Sequence, residues 1–177
     1  MPVGREEVAA AVLDAAAELF AERGPAATSI RDVAARSNVN HGLVFRHFGA
    51  KDRLVGAVLD HLGSRLTDLF DRDAPAAEIE RAVDRHTRVV ARALLDGYPA
   101  GELQTSFPNL VRLLEQVRPR FDDDVSARLA VANAVALQLG WHLFRPFLVS
   151  GLDLGEVGDA ALQQSIAAAV ARIVEPD

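Results

Sequence analysis

Apolar positions recur every three or four residues along most of the chain, the period of an amphipathic helix, and no convincing strand alternation occurs. In residues 5–23, Val8, Val12, Ala16, Leu19 and Phe20 make one stripe with Arg23 at its end, while Glu6, Glu7, Asp14, Glu18 and Glu22 fall mostly elsewhere. The early glutamates suit the positive end of a helix dipole. Gly24-Pro25 stops this helix, Gly as a left-handed cap and Pro as a residue that cannot continue it. A second, short helix starts at Thr28 or Ser29. Either can cap, and Ser29 has Asp32 at capping-box spacing. Its buried stripe is Ile30, Val33 and Ala34, and it ends near Arg36. Ser37-Asn38-Val39 reads as a tight turn in which Asn tolerates the positive φ required. A third helix begins with Asn40 as its cap and runs to about Phe48. Val44 and Phe48 share its inner face, joined by Val39, which leaves His41, Gly42, Leu43, Phe45, Arg46 and His47 pointing outward.

After the break at Gly49-Ala50, longer helices are predicted over 51–71, 79–96, 108–117, 125–146 and 159–174, with 100–107 ambiguous and 151–158 a loop. The prediction is an all-α chain of about nine helices. Composition agrees: alanine, the best helix former, occurs 31 times in 177 residues.

The absence of cysteine excludes disulfides, Cys-ligated zinc and thiolate catalysis. The first residues contain no long apolar segment of a secretory leader. The longest mostly apolar stretch, 129–144, is too short to span a bilayer and contains Asn133, Gln138 and His142. These features predict a soluble, cytoplasmic protein with no membrane partner. No two of the five histidines lie four apart, and no phosphate-cradling glycine loop occurs, so no metal or cofactor is expected. Asp122-Asp123-Asp124 is explained by helix capping, because consecutive residues diverge around a helix. No enzyme is expected.

The net charge of −6 is unevenly distributed. Residues 57–177 hold 12 basic and 18 acidic side chains, while residues 1–56 hold 7 of each. Within 23–53, Arg23, Arg31, Arg36, Arg46, Lys51 and Arg53 stand against only Asp32 and Asp52, with His41 and His47 in addition. An acidic body with a local basic patch is compatible with attraction to DNA phosphates, and equally with a solvated helical surface.

Two short helices joined by a three-residue turn and laid across a preceding helix form a helix-turn-helix. An eight-residue helix is about 12 Å long, comparable to the width of the DNA major groove. Thr28 and Ser29 place hydroxyls at the start of the second helix, where phosphate contacts are made, and Arg31 can reach a phosphate or a base edge. Gly42 keeps the third helix low enough for close approach. Arg46 can reach phosphate or guanine, and Lys51 can meet a phosphate.

The run T-S-I-R-D-V-A-A-R-S-N-V-N-H-G-L-V-F-R-H-F-G-A-K, with the first helix before it, closely resembles the DNA-binding domain of TetR/AcrR (tetracycline repressor-like) transcriptional regulators over about residues 5–60. Asn38 stands where that family usually has Gly, Asn40 where it has Ser, Ser37 where Ala is common and Phe45 where it has Tyr. The phenol-to-phosphate bond of that Tyr is therefore absent, and the rings or chains of Phe45 and Leu43 are left to pack on sugar or a thymine methyl. The resemblance implies phosphate contacts by Thr28, His47 and Lys51, and groove-facing roles for Arg31, His41, Gly42, Leu43 and Arg46. Ser29 and Asn40 join this set as caps at the helix starts.

The resemblance further implies a helix-turn-helix domain over 1–50 and an effector-binding and dimerisation domain over 51–177. The dimer would pair two copies through the last two helices, at Ala132, Ala136, Gly140, Phe144, Leu162, Ile166, Val170 and Ile173. It would bind a double-stranded, palindromic operator. A small-molecule effector, apolar or aromatic in character, would lie near Phe70, His86, Arg92, Tyr98, Phe107, Leu113, Trp141 and His142. Its binding would tilt the helix over 51–71 and release DNA. The rival expectation is a dimeric all-α ligand-binding or interaction protein that does not read DNA.

Overall fold

A computed structural model describes residues 4–175. Among them lie nine α-helices, one 3-10 turn and no strand. The helices are α1 (Arg5–Arg23), α2 (Ile30–Ser37), α3 (His41–Phe48), α4 (Lys51–Asp71), α5 (Ala76–Leu95), α6 (Ala100–Leu103), α7 (Pro108–Val117), α8 (Asp124–Gly151) and α9 (Asp159–Val174). They pack as two compact units, one ending at Pro108 and the other beginning at Asn109.

The first unit is built on one core. Val12, Ala16 and Phe20 repeat every four residues along α1 and are fully buried. Around them cluster Val33 and Ala34 of α2, Val44 of α3, Leu54, Val55, Val58, Leu59 and Leu62 of α4, and Val89 and Ala93 of α5. Ile30, Val39 and Phe48 are partly buried against the same cluster. The inner faces predicted for the two short helices are therefore the inner faces observed. The unit continues past residue 50 because α4 and α5 supply much of this shared core.

Gly56 sets how closely α4 meets α6. A Cβ at this position would lie 2.3 Å from the Leu103 carbonyl oxygen, well inside contact distance. One turn further along α4, the Asp60 carboxylate accepts the Thr105 N–H at 2.9 Å, the Thr105 hydroxyl at 2.7 Å and the Ser106 N–H at 2.9 Å. Residues 100–107 thus resolve into one helical turn and an extended strap bound to α4.

The second unit has a smaller core. Val117, Ala130 and Val131 are buried, with Leu113, Leu114, Phe121, Val135, Ile173 and Val174 packed around them. Asp123 caps α8 by accepting the N–H groups of Val125 and Ser126 at 2.9 and 3.0 Å. Arg118 and Arg128 both pair with Asp124, at 2.8 and 2.5 Å.

Two boundaries differ from the sequence reading. Helix α5 begins at Ala76 rather than Ile79, because Pro75 serves as its cap and Ala76, Ala77 and Glu78 are good helix formers. Helix α8 does not end near Pro146 but continues to Gly151. Proline removes a single backbone donor, and Leu148 and Val149 beyond it are half-buried. Of the two starts read for α2, Thr28 or Ser29, Ser29 is the N-cap.

Gly56→Ala is expected to destabilise the first unit by about 1–3 kcal/mol through overpacking against a backbone carbonyl. Urea denaturation followed by circular dichroism measures this, and an unchanged midpoint would show that α6 moves away without cost.

Candidate nucleic-acid interface

The reading head is assembled by caps at each of its corners. The Ser29 hydroxyl accepts the Asp32 N–H at 3.1 Å, and Asp32 in return accepts the Ser29 N–H at 2.8 Å. These bonds, to the Ser29 backbone first and its side chain next, hold the Asp32 carboxyl below the usual carboxylate range, with help from Arg23 and Lys51. Asn38 adopts φ 52° and ψ 38°, the left-handed conformation expected of it, and its N–H reaches the Ala34 and Ala35 carbonyls. The Asn40 side chain then accepts the Gly42 N–H at 2.8 Å and starts α3. Because Val44 is buried and Phe48 half-buried, the opposite face of α3 is turned outward. His41, Gly42, Leu43, Phe45 and Arg46 are exposed, and His47 is half-buried beside Phe48. Phe45 has 57 % of its surface open, a large apolar group on a short solvent-facing helix.

Ion pairing sorts the basic residues. Arg36 bonds Glu18 at 3.0 Å and Glu22 at 3.3 Å, tying α2 to α1, and Arg23 pairs with Asp32 at 3.0 Å. Both belong to the basic patch read from sequence and both are paired, Arg36 by Glu18 and Glu22 from outside the 23–53 window and Arg23 by Asp32 within it. Arg31, Arg46 and Arg53 have no ion-pair or hydrogen-bond partner among the described residues.

The groups expected to meet phosphate are placed unequally. Thr28 is buried and its hydroxyl donates to the Gly24 carbonyl at 2.8 Å. The Ser29 hydroxyl is exposed and donates to Asp32 at 2.9 Å. Lys51 is half-buried, and its ammonium donates to the Ala26 carbonyl at 3.3 Å. Burial lowers the Lys51 pKa below its ordinary value, against the pull of Asp96, Asp52 and Asp32.

Two residues that the sequence did not single out for this region position the reading head. The Asp96 carboxylate, at the end of α5, accepts the Ala26 N–H at 2.7 Å. Arg92, expected in an effector pocket, donates from Nε to the Ala21 carbonyl at 3.1 Å. The loop entering α2 is thus held from α5 through its N–H and from α4 through its carbonyl. Gly24 makes room: a Cβ there would lie 2.5 Å from the Asp96 carboxylate. Its φ of 83° with ψ of 159° is a glycine-only extended conformation, not the left-handed cap expected. A sequence separation of 70 residues gave no signal for the Asp96 contact.

The other expected effector residues divide between the units. Phe70 is exposed at the end of α4, His86 is half-buried on α5, Tyr98 packs on the core of the first unit, and Phe107 is half-buried. Burial lowers the His86 pKa, favouring the neutral imidazole. Leu113 belongs to the core of the second unit, and Trp141 and His142 are half-buried on α8. Of the residues expected at a dimer interface, Ala132, Ala136 and Phe144 are exposed and Gly140 has open space above it. Leu162 is buried, Ile166 and Val170 are half-buried, and Ile173 packs in the core of the second unit. Among the described residues, no cluster of potential metal ligands occurs and no helix is long and apolar enough to cross a membrane.

The family profile "Bacterial regulatory proteins, tetR family" matches residues 12–58. The HTH-type transcriptional repressor Rv3405c of Mycobacterium tuberculosis is 68 % identical over 176 residues, covering 99 % of this chain and 94 % of its own. The chain belongs to the TetR family of bacterial transcriptional regulators. This TetR-family protein is a DNA-binding regulator of transcription rather than an enzyme. The HTH-type transcriptional regulator Mb3439c of Mycobacterium bovis shows the same 68 % identity, with 99 % and 94 % of the chains covered. The HTH-type transcriptional repressor KstR2 of Rhodococcus jostii is 41 % identical over 61 residues, covering 34 % of this TetR-family chain and 28 % of its own.

Asp96→Ala is expected to cost about 1 kcal/mol by removing a charge-assisted hydrogen bond, and to speed exchange of the Ala26 amide proton. Amide hydrogen exchange checks this, and an Ala26 protection equal to wild type would show that Asp96 does not hold the loop.

Proposed function

We propose that this TetR-family regulator is a repressor whose two copies grip a palindromic operator and release it when a small molecule binds. One observation carries the DNA-reading assignment: the face of α3 opposite Val44 is exposed along its length and presents Arg46, without a partner among the described residues, beside His41, Gly42, Leu43 and Phe45. Arg46 and His41 offer hydrogen bonds to base edges or phosphates, and Leu43 and Phe45 offer apolar contact to thymine methyls or sugar. Arg31 meets the duplex from α2. Ser29, Asn40 and the buried Thr28 act as positioning groups that fix α2 and α3, and His47 and Lys51 lie at the phosphate rim. The functional division is then a reading module over 1–50 and a sensing and pairing module over 51–177, acting in the cytoplasm, where the DNA is.

Repression is supported by the Mycobacterium tuberculosis relative, which is named a transcriptional repressor. The effector fits best as an apolar or aromatic molecule recognised among the middle helices, with neutral His86 as a polar contact. Helix α4 is the mechanical link. Its first half shares the core of α1 to α3, and its Asp60 holds the strap after α6. A shift of α4 changes the spacing of two paired reading heads, whose half-sites lie about 34–36 Å apart.

Pairing is supported by an apolar stripe on α8. Leu129 and Phe144 are 59 and 58 % exposed, and Ala132 and Ala136 between them let a second helix come close.

Fluorescence anisotropy with duplex flanking the coding sequence, against scrambled duplex, tests the reading. Selective binding is expected, with Arg46→Ala costing about 1–3 kcal/mol and relaxing selectivity. Equal, weak binding to overlapping duplexes tiled across the genome and to scrambled DNA would overturn it. Leu129→Arg with Phe144→Arg is expected to leave a folded monomer in sedimentation, and a persistent dimer would place the interface elsewhere.

A further inference from the structure

Arg53 stands in the first turn of α4, just beyond the helix-turn-helix. It is exposed and has no ion-pair or hydrogen-bond partner among the described residues, unlike Arg23 and Arg36 nearby in sequence. It also has a defined place. Helical side chains lean toward the N-terminus, and Arg53 leans across Gly49, the residue that ends α3. A methyl group on Gly49 would lie 3.6 Å from Arg53 Cδ and 3.9 Å from its Nη1. The guanidinium therefore lies beside the last turn of α3, which carries Arg46 and His47. Its sequence neighbour Asp52 does not neutralise it: no bond joins them, and Asp52 acts on Lys51 and Tyr98.

We propose that Arg53 is a phosphate anchor, pinning the duplex backbone beside the C-terminal end of the recognition helix. That end of α3 carries the negative pole of its dipole, which repels phosphate, and the Lys51 ammonium at the phosphate rim is shared with the Ala26 carbonyl. A guanidinium offers paired donors that match phosphate oxygens and keeps its charge at any physiological pH. The contact carries no base information, so it acts on all sequences alike. This inference rests on the assignment of α3 as the recognition helix.

The test is a salt series on the full chain with a labelled mixed-sequence duplex, which needs no knowledge of the operator. Arg53→Ala is expected to weaken binding and to lower the slope of log affinity against log salt by about 0.9 per protomer. Between about 50 and 200 mM salt, the variant then loses roughly threefold less affinity per protomer than wild type. Arg53→Lys is expected to keep most of the slope, and the melting temperature of the free protein to stay unchanged. A wild-type slope in Arg53→Ala would overturn the proposal, and with a lowered melting temperature would assign Arg53 to neutralising the end of α3. If wild-type protein shows no salt-dependent affinity for duplex, the recognition-helix assignment falls as well.

Discussion

Everything at the reading head depends on burial of one face of two helices too short to stand alone. An eight-residue helix is marginal in water, because the few hydrogen bonds it makes do not offset the cost of nucleating it. Helices α2 and α3 exist because Val33, Ala34 and Val44 join a cluster centred on Phe20 of α1 and the apolar face of α4. That burial also fixes their rotation. With Val44 inside, Gly42 and Arg46 fall on the opposite side and Leu43 and Phe45 on the flanks, and all four are exposed. The chemistry of the interface is a consequence of the core behind it.

The same core ties the helix-turn-helix to the helices that follow it. The packing of the helix-turn-helix does not end where the motif ends: α4 and α5 complete its core, and Lys51 and Asp96 at their ends reach the loop that enters α2. Lys51 takes the Ala26 carbonyl and Asp96 takes the Ala26 N–H, so a single residue is held from two helices. Gly24 and Gly56 are the close-approach points of this arrangement, where any side chain would strike Asp96 or the Leu103 carbonyl. A displacement of α4 or α5 therefore has a short mechanical path to the recognition helix.

Electrostatics is decided by partners rather than by counts. Six basic residues against two acidic ones in 23–53 describe a basic segment, yet in the fold Arg36 belongs to Glu18 and Glu22, and Arg23 to Asp32. The arginines left without partners among the described residues are Arg31, Arg46 and Arg53. Two of these, Arg46 and Arg53, flank the end of α3, where the helix dipole is least favourable to phosphate and cations do the most to reverse it.

Local rules were enough to read much of this from the sequence. The i, i+4 stripe of α1, the Ser29–Asp32 capping box, the turn at Asn38 and the Asn40 cap each involve residues within four positions of one another, and each was legible. So was the outward face of α3, because a helix with one known buried residue has the rest of its directions determined. Helix ends were less legible. Pro146 looked like a stop, but the helix runs through it to Gly151. What only the tertiary structure decided was who meets whom across long separations: Asp96 on Ala26, Asp60 on Thr105, Arg36 on Glu18, and the Leu103 carbonyl against Gly56. Hydrophobic periodicity records that a face is buried but not against what. A charge records its sign but not its neighbour, and those pairings arise when helices distant in sequence settle on a common core.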